Sequence, residues 1–316
     1  MRLSNTSSYR LAYAKALVDL GERLEDLVVL DADTSKSTMT IRFSEKFGER
    51  YFNVGISEQD LIGIAAGLAV GGLRPVASAF AAFMMRGWEQ IRSTIDRDGL
   101  NVKLVATHSG LSPHVDGSSH QSLEDVSLMR SLGRTSVFVP ADAVSTYEVV
   151  VWSVEKHRGP AYIRLGRDNA RPVYGEGEFE FRPGGLSILR DGRDSVIFAM
   201  GPMVGVALEA AKLLKEESLD VGVVDVYSIK PLGRSEVLRI ASGYDIAFTL
   251  EDHRVVGGLG SSIAEVLAES GGGVRLVRMG VDGGRYGSSA RSFEELLAFM
   301  GLDPASIAKR VRGVLS

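Results

Sequence analysis

The chain of 316 residues contains no cysteine, which excludes disulfides, zinc ribbons, iron–sulfur ligation and a thiol nucleophile together. Long apolar runs are missing too. No stretch of about eighteen apolar residues offers a membrane span, and the opening MRLSNTSSYR lacks the apolar core of a signal peptide, so the expected location is cytoplasmic. No Lys/Arg-rich run occurs and the formal net charge is −4, which leaves no basic surface for a nucleic acid backbone. Apolar residues make up 45% and charged residues 24%, enough for one large or two ordinary globular domains. Glycine, with 36 copies, is the one conspicuous excess.

Short β-branched runs alternate with amphipathic stretches along the whole chain, the pattern of an α/β protein with parallel sheets. Strands are expected at Leu27–Leu30, Pro75–Ser78, Val102–Ala106, Ser136–Val139 and Ala161–Ile163, and helices near Tyr9–Leu20, Glu58–Val70, Phe83–Ile95 and Ser145–Glu155. Between Gly166 and Gly185 the periodicity lapses among Asn169, Pro172, Gly175, Gly177, Pro183 and Gly184, which reads as a linker over 169–184. The alternation then restarts. Strands near Ser195–Ala199, Val221–Val226, Ile246–Leu250 and Val274–Arg278, with helices near Met203–Glu216, Ser261–Ala268 and Phe293–Met300, make a second, smaller domain over 185–316 after a first over 1–168.

Open parallel sheets bind ligands beyond the carboxyl ends of their strands. In the first domain those positions hold Asp31 and Asp33, Phe80, Thr107 and His108, and Arg164 and Arg167; in the second they hold Glu251, Asp252 and His253. Three of the five histidines, His108, His114 and His120, share the segment THSGLSPHVDGSSHQ with Asp116. This spacing matches no helix-borne metal motif, and no G-x-S-x-G elbow accompanies it. A polar surface loop and a loop reading a hydroxylated or phosphorylated ligand both remain open. Ser57 and Asp60 form a candidate capping box for a slim helix rich in Gly and Ala. Glu58 in its first turn suits the helix dipole as it stands, or a carboxyl tuned by burial to exchange a proton with a ligand. Phe80 and Phe83 share a helical face that suits core packing or a flat heterocycle.

Taken together, NVGISEQDLIGIAAGLA, SAFAAFMMRGWEQIR, ATHSGLSPHVDGSSHQSLEDVSLMRSLG, VFVPAD and IRLGRD resemble, in order and spacing, the pyrimidine-binding domain of transketolases. DVYSIKPL, EDHRVVGGLGSSIAEVL and YGSSARSFEELL look like the family's C-terminal domain. The G-D-G motif with which the family holds magnesium and the cofactor diphosphate does not occur. The resemblance therefore implies the C-terminal subunit of a split transketolase: thiamine diphosphate is bound on its pyrimidine side by this chain, and Mg2+ and the diphosphate by a separate N-terminal subunit. It further implies self-association in a heterotetramer, with the slim helix at the subunit contact, and transfer of a two-carbon ketol unit between sugar phosphates of the pentose phosphate type.

Residue by residue, Glu58 matches the glutamate on N1′ of the aminopyrimidine, which promotes proton transfer through a carboxyl. By the same resemblance Phe83 would stack on the pyrimidine with Phe80 beside it, and Asp33 lies where the family has a carboxylate near the cofactor. Asp116 and His120 match residues that read sugar hydroxyls, while His108, Arg10, Ser37 and Arg167 match the group that holds the sugar phosphate, as an arginine fork suits a dianion. Glu58, His120 and His108 are thus the candidate catalytic residues, and no residue is assigned to a metal. Two positions depart from the family pattern. Arg86 stands where many transketolases carry a third aromatic, making F-M-M-R similar to 1-deoxyxylulose-5-phosphate synthase, and Lys36 replaces a usual proline. Alternatives are accordingly such a synthase, a 2-oxo acid dehydrogenase beta-type subunit, or a non-catalytic assembly subunit.

Overall fold

A computed structural model describes residues 3, 6, 8–167, 170–271 and 273–316. Asp168 and Asn169, where the first expected domain ends and the linker begins, lie outside the described residues.

Among the described residues, twelve strands form two sheets: β1 (Leu27–Asp31), β2 (Tyr51–Asn53), β3 (Arg74–Phe80), β4 (Lys103–Thr107), β5 (Ser136–Phe138), β6 (Ala161–Arg164), β7 (Ser187–Arg190), β8 (Ser195–Ala199), β9 (Val221–Asp225), β10 (Ser228–Lys230), β11 (Ile246–Arg254) and β12 (Arg275–Val281). The first sheet has the order β10-β5-β6-β4-β3-β1-β2 and the second β12-β11-β8-β9-β7. Pairing is parallel throughout except at β10 in the first sheet and β7 in the second. Continuous apolar runs such as Leu27–Leu30 and Val196–Ala199 are buried along their whole length, as parallel strands covered on both faces must be. The α/β class expected from the alternation is the observed one.

Helix starts follow local chemistry. Ser8 caps the helix Tyr9–Arg23 by accepting from Leu11 N–H, and Asp142 and Ser145 form a reciprocal capping box on the helix Ala143–Glu155. At the helix Glu58–Val70 the box expected from Ser57 and Asp60 does not form: Ser57 makes no side-chain cap bond, and Asp60 is exposed. The single helix expected over Phe83–Ile95 is broken into α, 3-10, α and π turns. At Gly87 this stretch packs closely on the neighbouring helix: a Cβ there would lie 3.0 Å from Ile62 Cγ1 and 3.2 Å from the Glu58 carbonyl oxygen. The chain turns tightly to pass the start of the neighbouring helix.

The two halves are joined at several levels. Strand β10, from the second half, pairs antiparallel with β5 at the edge of the first sheet. Residues 170–185 contain neither helix nor strand, yet Ala170, Phe179 and Phe181 are buried with Tyr9, Phe138 and Tyr227. Deeper still, Arg164 on β6 donates to Asp125 Oδ2 at 2.8 Å and to Asp252 Oδ1 at 2.7 Å, with all three side chains fully buried. Such an ion triad is secure only while each charge keeps its partner.

Candidate active site

Strands β6, β4, β3 and β1 are consecutive in the first sheet, so their carboxyl ends deliver Arg164–Arg167, Thr107–His108, Phe80 and Asp31–Asp33 to one edge. Residues far apart in sequence become neighbours there.

The aromatic groups form one assembly. The Phe80 and Phe83 rings stack with centroids 5.3 Å apart and 10° between planes, and His108 stacks on Phe80 at 3.7 Å. His120 meets the Phe83 ring edge-on at 5.1 Å. Phe80 and His108 are buried, whereas Phe83 and His120 are half-buried, so the outer ring of the stack keeps apolar surface for another flat group. His108 sits at φ 55°, in the left-handed region, where the chain turns off β4 and aims its ring along the stack. Burial, aided by the charges of Arg10 and Arg167, pushes its imidazole down to about 2. His108 is therefore neutral at physiological pH, with Nδ1 2.9 Å from Thr107 Oγ1.

Charge enters from the other side. Arg167 Nη1 lies 3.4 Å from Asp116 Oδ2, and Arg10 donates through Nε to the Arg167 carbonyl at 2.6 Å and through Nη1 to the Ser37 carbonyl at 2.7 Å. The helix Tyr9–Arg23, the turn after β1, the histidine loop and the end of β6 thus converge through two guanidinium groups, the side chains suited to a phosphate dianion.

Glu58 opens the helix Glu58–Val70 and is 6% exposed. Among the described residues no hydrogen bond reaches its carboxylate, and its nearest cation is Arg86, with Nε at 3.9 Å. The Glu58 oxygens are not among the buried atoms that lack a partner, so the carboxylate keeps a narrow opening to solvent through which a ligand could reach it. Gln59 Nε2 also reaches the Arg86 carbonyl at 3.4 Å, which ties the F-M-M-R turn to this helix start.

Asp33 is held apart from these groups. Exposed and at φ 62°, it accepts from Asn53 Nδ2 at 3.2 Å. Lys36 is exposed on the following turn. The three loop histidines do not converge, since His114 Nδ1 turns to the Ser112 carbonyl at 3.0 Å. Asp31 is a supporting residue that the sequence pattern left unassigned. Its carboxylate accepts from Thr34 N–H, Thr34 Oγ1, Thr38 Oγ1 and Thr40 Oγ1 at 2.5 to 2.9 Å, shaping the turn that carries Asp33 and Ser37. The run of threonines three, seven and nine residues after a strand-terminal aspartate was its signal.

Comparison with known proteins now decides the family. The model of the transketolase pyrimidine-binding domain matches residues 5–172, and that of the transketolase C-terminal domain matches residues 184–307. The chain belongs to the transketolase family. It is similar to a transketolase C-terminal section of Methanocaldococcus jannaschii, with 41% identity over 96% of this chain and 94% of that one. A solved split-gene transketolase, described as an inactive β4 tetramer, superposes with a TM-score of 0.88 at 43% identity, over 98% of this chain and 99% of that one. The 1-deoxy-D-xylulose-5-phosphate synthase of Gloeobacter violaceus is 33% identical over 98% of this chain but only 48% of its own length. Against such longer transketolase relatives the chain spans about half. No helix among the described residues is long and apolar enough to cross a membrane.

Proposed function

We propose that this chain is the C-terminal subunit of a split, thiamine diphosphate-dependent transketolase, active with a separate N-terminal subunit that binds the diphosphate and Mg2+. The observation that carries the reading is Glu58: a nearly buried carboxylate lacking a hydrogen-bond donor, near the turn that carries Phe83 and its partly open ring. These groups fit an aminopyrimidine. Glu58 would bind a ring nitrogen and hold or move its proton, Phe83 would stack on the ring, and Phe80 would back Phe83 at 5.3 Å. Asp33 lies at the rim, where it would contact the cofactor or the partner. When bound, thiamine diphosphate supplies the carbon nucleophile that accepts the two-carbon unit.

The remaining groups sort by chemistry. Arg10 and Arg167, with the Ser37 turn between them, would bind the phosphate of a ketose or aldose phosphate, and neutral His108 would donate a hydrogen bond rather than a charge. Asp116 and His120, on the loop above Phe83, would orient sugar hydroxyls and exchange protons with them. The exposed strip of Ile56, Gly63, Ile64, Gly67 and Val70 beside Glu58 supports burial against another subunit, as a heterotetramer would provide.

The test is reconstitution. The purified chain alone should not turn over, and adding an N-terminal subunit bearing G-D-G, with Mg2+ and thiamine diphosphate, should produce ketol transfer between sugar phosphates. Robust turnover by the isolated chain would sink the split reading. Arg86 favours one second reading: it is 74% exposed beside Glu58 in a turn similar to that of the deoxyxylulose phosphate synthases. Pyruvate decarboxylation by the reconstituted complex, in place of ketol transfer, would select that reaction.

A further inference from the structure

The loop that carries Asp116 and His120 belongs to the first half of the chain, but the second half holds it in place. Gln121, 7% exposed, donates through Nε2 to the Ser288 carbonyl at 2.9 Å and to the Pro113 carbonyl at 3.4 Å, so one carboxamide joins both ends of the loop to residue 288. Ala290 N–H donates to the His114 carbonyl at 2.8 Å. Two glycines permit the contact. A Cβ on Gly287 would fall 1.5 Å from Gln121 Oε1, and one on Gly117, at φ +83°, would fall 2.6 Å from Ser289 Oγ. Below the loop, Gly110 lies against Asp252, whose Oδ2 would be 1.9 Å from an added Cβ, and Leu123 accepts from Arg254 N–H at 2.9 Å.

Among the described residues, every side chain of the aromatic stack and the arginine pair comes from the first half. We propose that Gln121 and the segment 286–290 are positioning elements of the sugar-reading loop, so that the second domain sets the geometry of Asp116 and His120 without touching substrate itself. The physical basis is loop entropy: residues 111–120 contain no helix or strand and would otherwise sample many conformations, which weakens binding by the fraction of time the competent one is absent. This proposal rests on the sugar-binding role given above to Asp116 and His120.

The test uses Gln121→Met, which keeps the side chain's length and removes the donor. In the full chain, hydrogen exchange of the 111–120 amides should quicken about five- to tenfold, the factor expected for one lost hydrogen bond, while β3 amides hold their protection. In the reconstituted complex KM for sugar phosphates should rise by about the same factor, with kcat and thiamine diphosphate affinity changed less than about twofold. Should that variant fail to fold, Gly287→Ala, which pushes against the same carboxamide, must give the same pattern. Unchanged loop exchange, or faster exchange with unchanged KM, overturns the proposal. A wild-type complex that transfers no ketol unit overturns the transketolase reading instead, and the exchange measurement still decides whether the second domain holds the loop.

Discussion

Two clusters of carboxylates, histidines and arginines lie at strand ends of this molecule, and their charges point in different directions. In the cluster spanning the two halves, Arg164, Asp125, Asp252, Glu251 and His253 are fully buried and face one another. Glu251 accepts from the N–H groups of Leu259 and Gly260 at the start of the helix Leu259–Glu269, and burial pushes its carboxyl up to about 8 while holding His253 near 4. In the cluster at the ends of β1, β3, β4 and β6, Glu58 has no donor among the described residues, Phe83 and His120 stay half-exposed, and the side chains of Arg167 and Asp116 are 25% and 32% exposed. Similar residue types join the two halves in one place and, in the proposed function, receive a ligand in the other. What separates them is access: the first cluster is closed to solvent, with Asp125 Oδ1 and Asp252 Oδ2 left without a hydrogen bond inside it, whereas the second stays partly open.

The sharpest way to test that contrast is Glu58→Gln, which should lower turnover of the reconstituted complex by about a thousandfold, within the range for removing a proton-transfer group. Assembly, followed by size-exclusion chromatography, should persist. If turnover survives, Glu58 has no such role. Arg164→Met should act in the opposite sense, costing about 3 kcal/mol in urea unfolding by stranding Asp125 and Asp252 without their cation. A stability within about 0.5 kcal/mol of wild type would show that the triad is not a joint between the halves.

Arg167→Ala should raise KM about tenfold or more for phosphorylated acceptors and much less for unphosphorylated ones; equal effects on both would argue against a phosphate role. The smallest effect concerns pH. His108 is held neutral well below the ordinary histidine range, so as pH falls through about 6.5 the unfolded chain takes up a proton that the folded chain refuses. The His108 contribution to stability is full above that pH and declines below it by about 1.4 kcal/mol per pH unit. Glu251, raised to about 8, acts oppositely, its contribution being full below about 4.5 and lost as pH rises through about 8. Comparing wild type with His108→Asn at pH 7.5 and 5.5 isolates the first group, and wild type should lose about 1.4 kcal/mol more than the variant. An identical loss in both would mean that His108 is protonated in the fold.

Much of the molecule was legible before any coordinates. The helix Met203–Glu216 and the strand Ser195–Ala199 have the bounds their patterns suggest, because each pattern is long or fully apolar. The short edge strands Tyr51–Asn53, Ser187–Arg190 and Ser228–Lys230 carry no such signal, since backbone pairing with a distant neighbour creates them. Ser57 followed by Asp60 looked like a capping box, but no cap bond forms where the helix meets the turn at Gly87. In the site, Phe80 and Phe83 do stack, but not on one helix face as their spacing suggests: Phe80 ends β3 in extended conformation and only Phe83 lies in the helical turn that follows. The stacking of His108 on Phe80 and the reach of Arg10 to residue 167 do not follow from local spacing either.

Residue order alone determined the α/β class, the family, the absence of the diphosphate motif and which side chains are chemically equipped to meet a pyrimidine and a sugar phosphate. These are properties of local pattern and residue type, which survive without knowledge of neighbours. Tertiary structure decided which charged groups are closed off in the interior and which stay open at the strand ends, and that the second half holds the loop bearing Asp116 and His120. Hydrogen-bond satisfaction and desolvation depend on every atom nearby, so residues far apart in the chain must be brought together before either has a value.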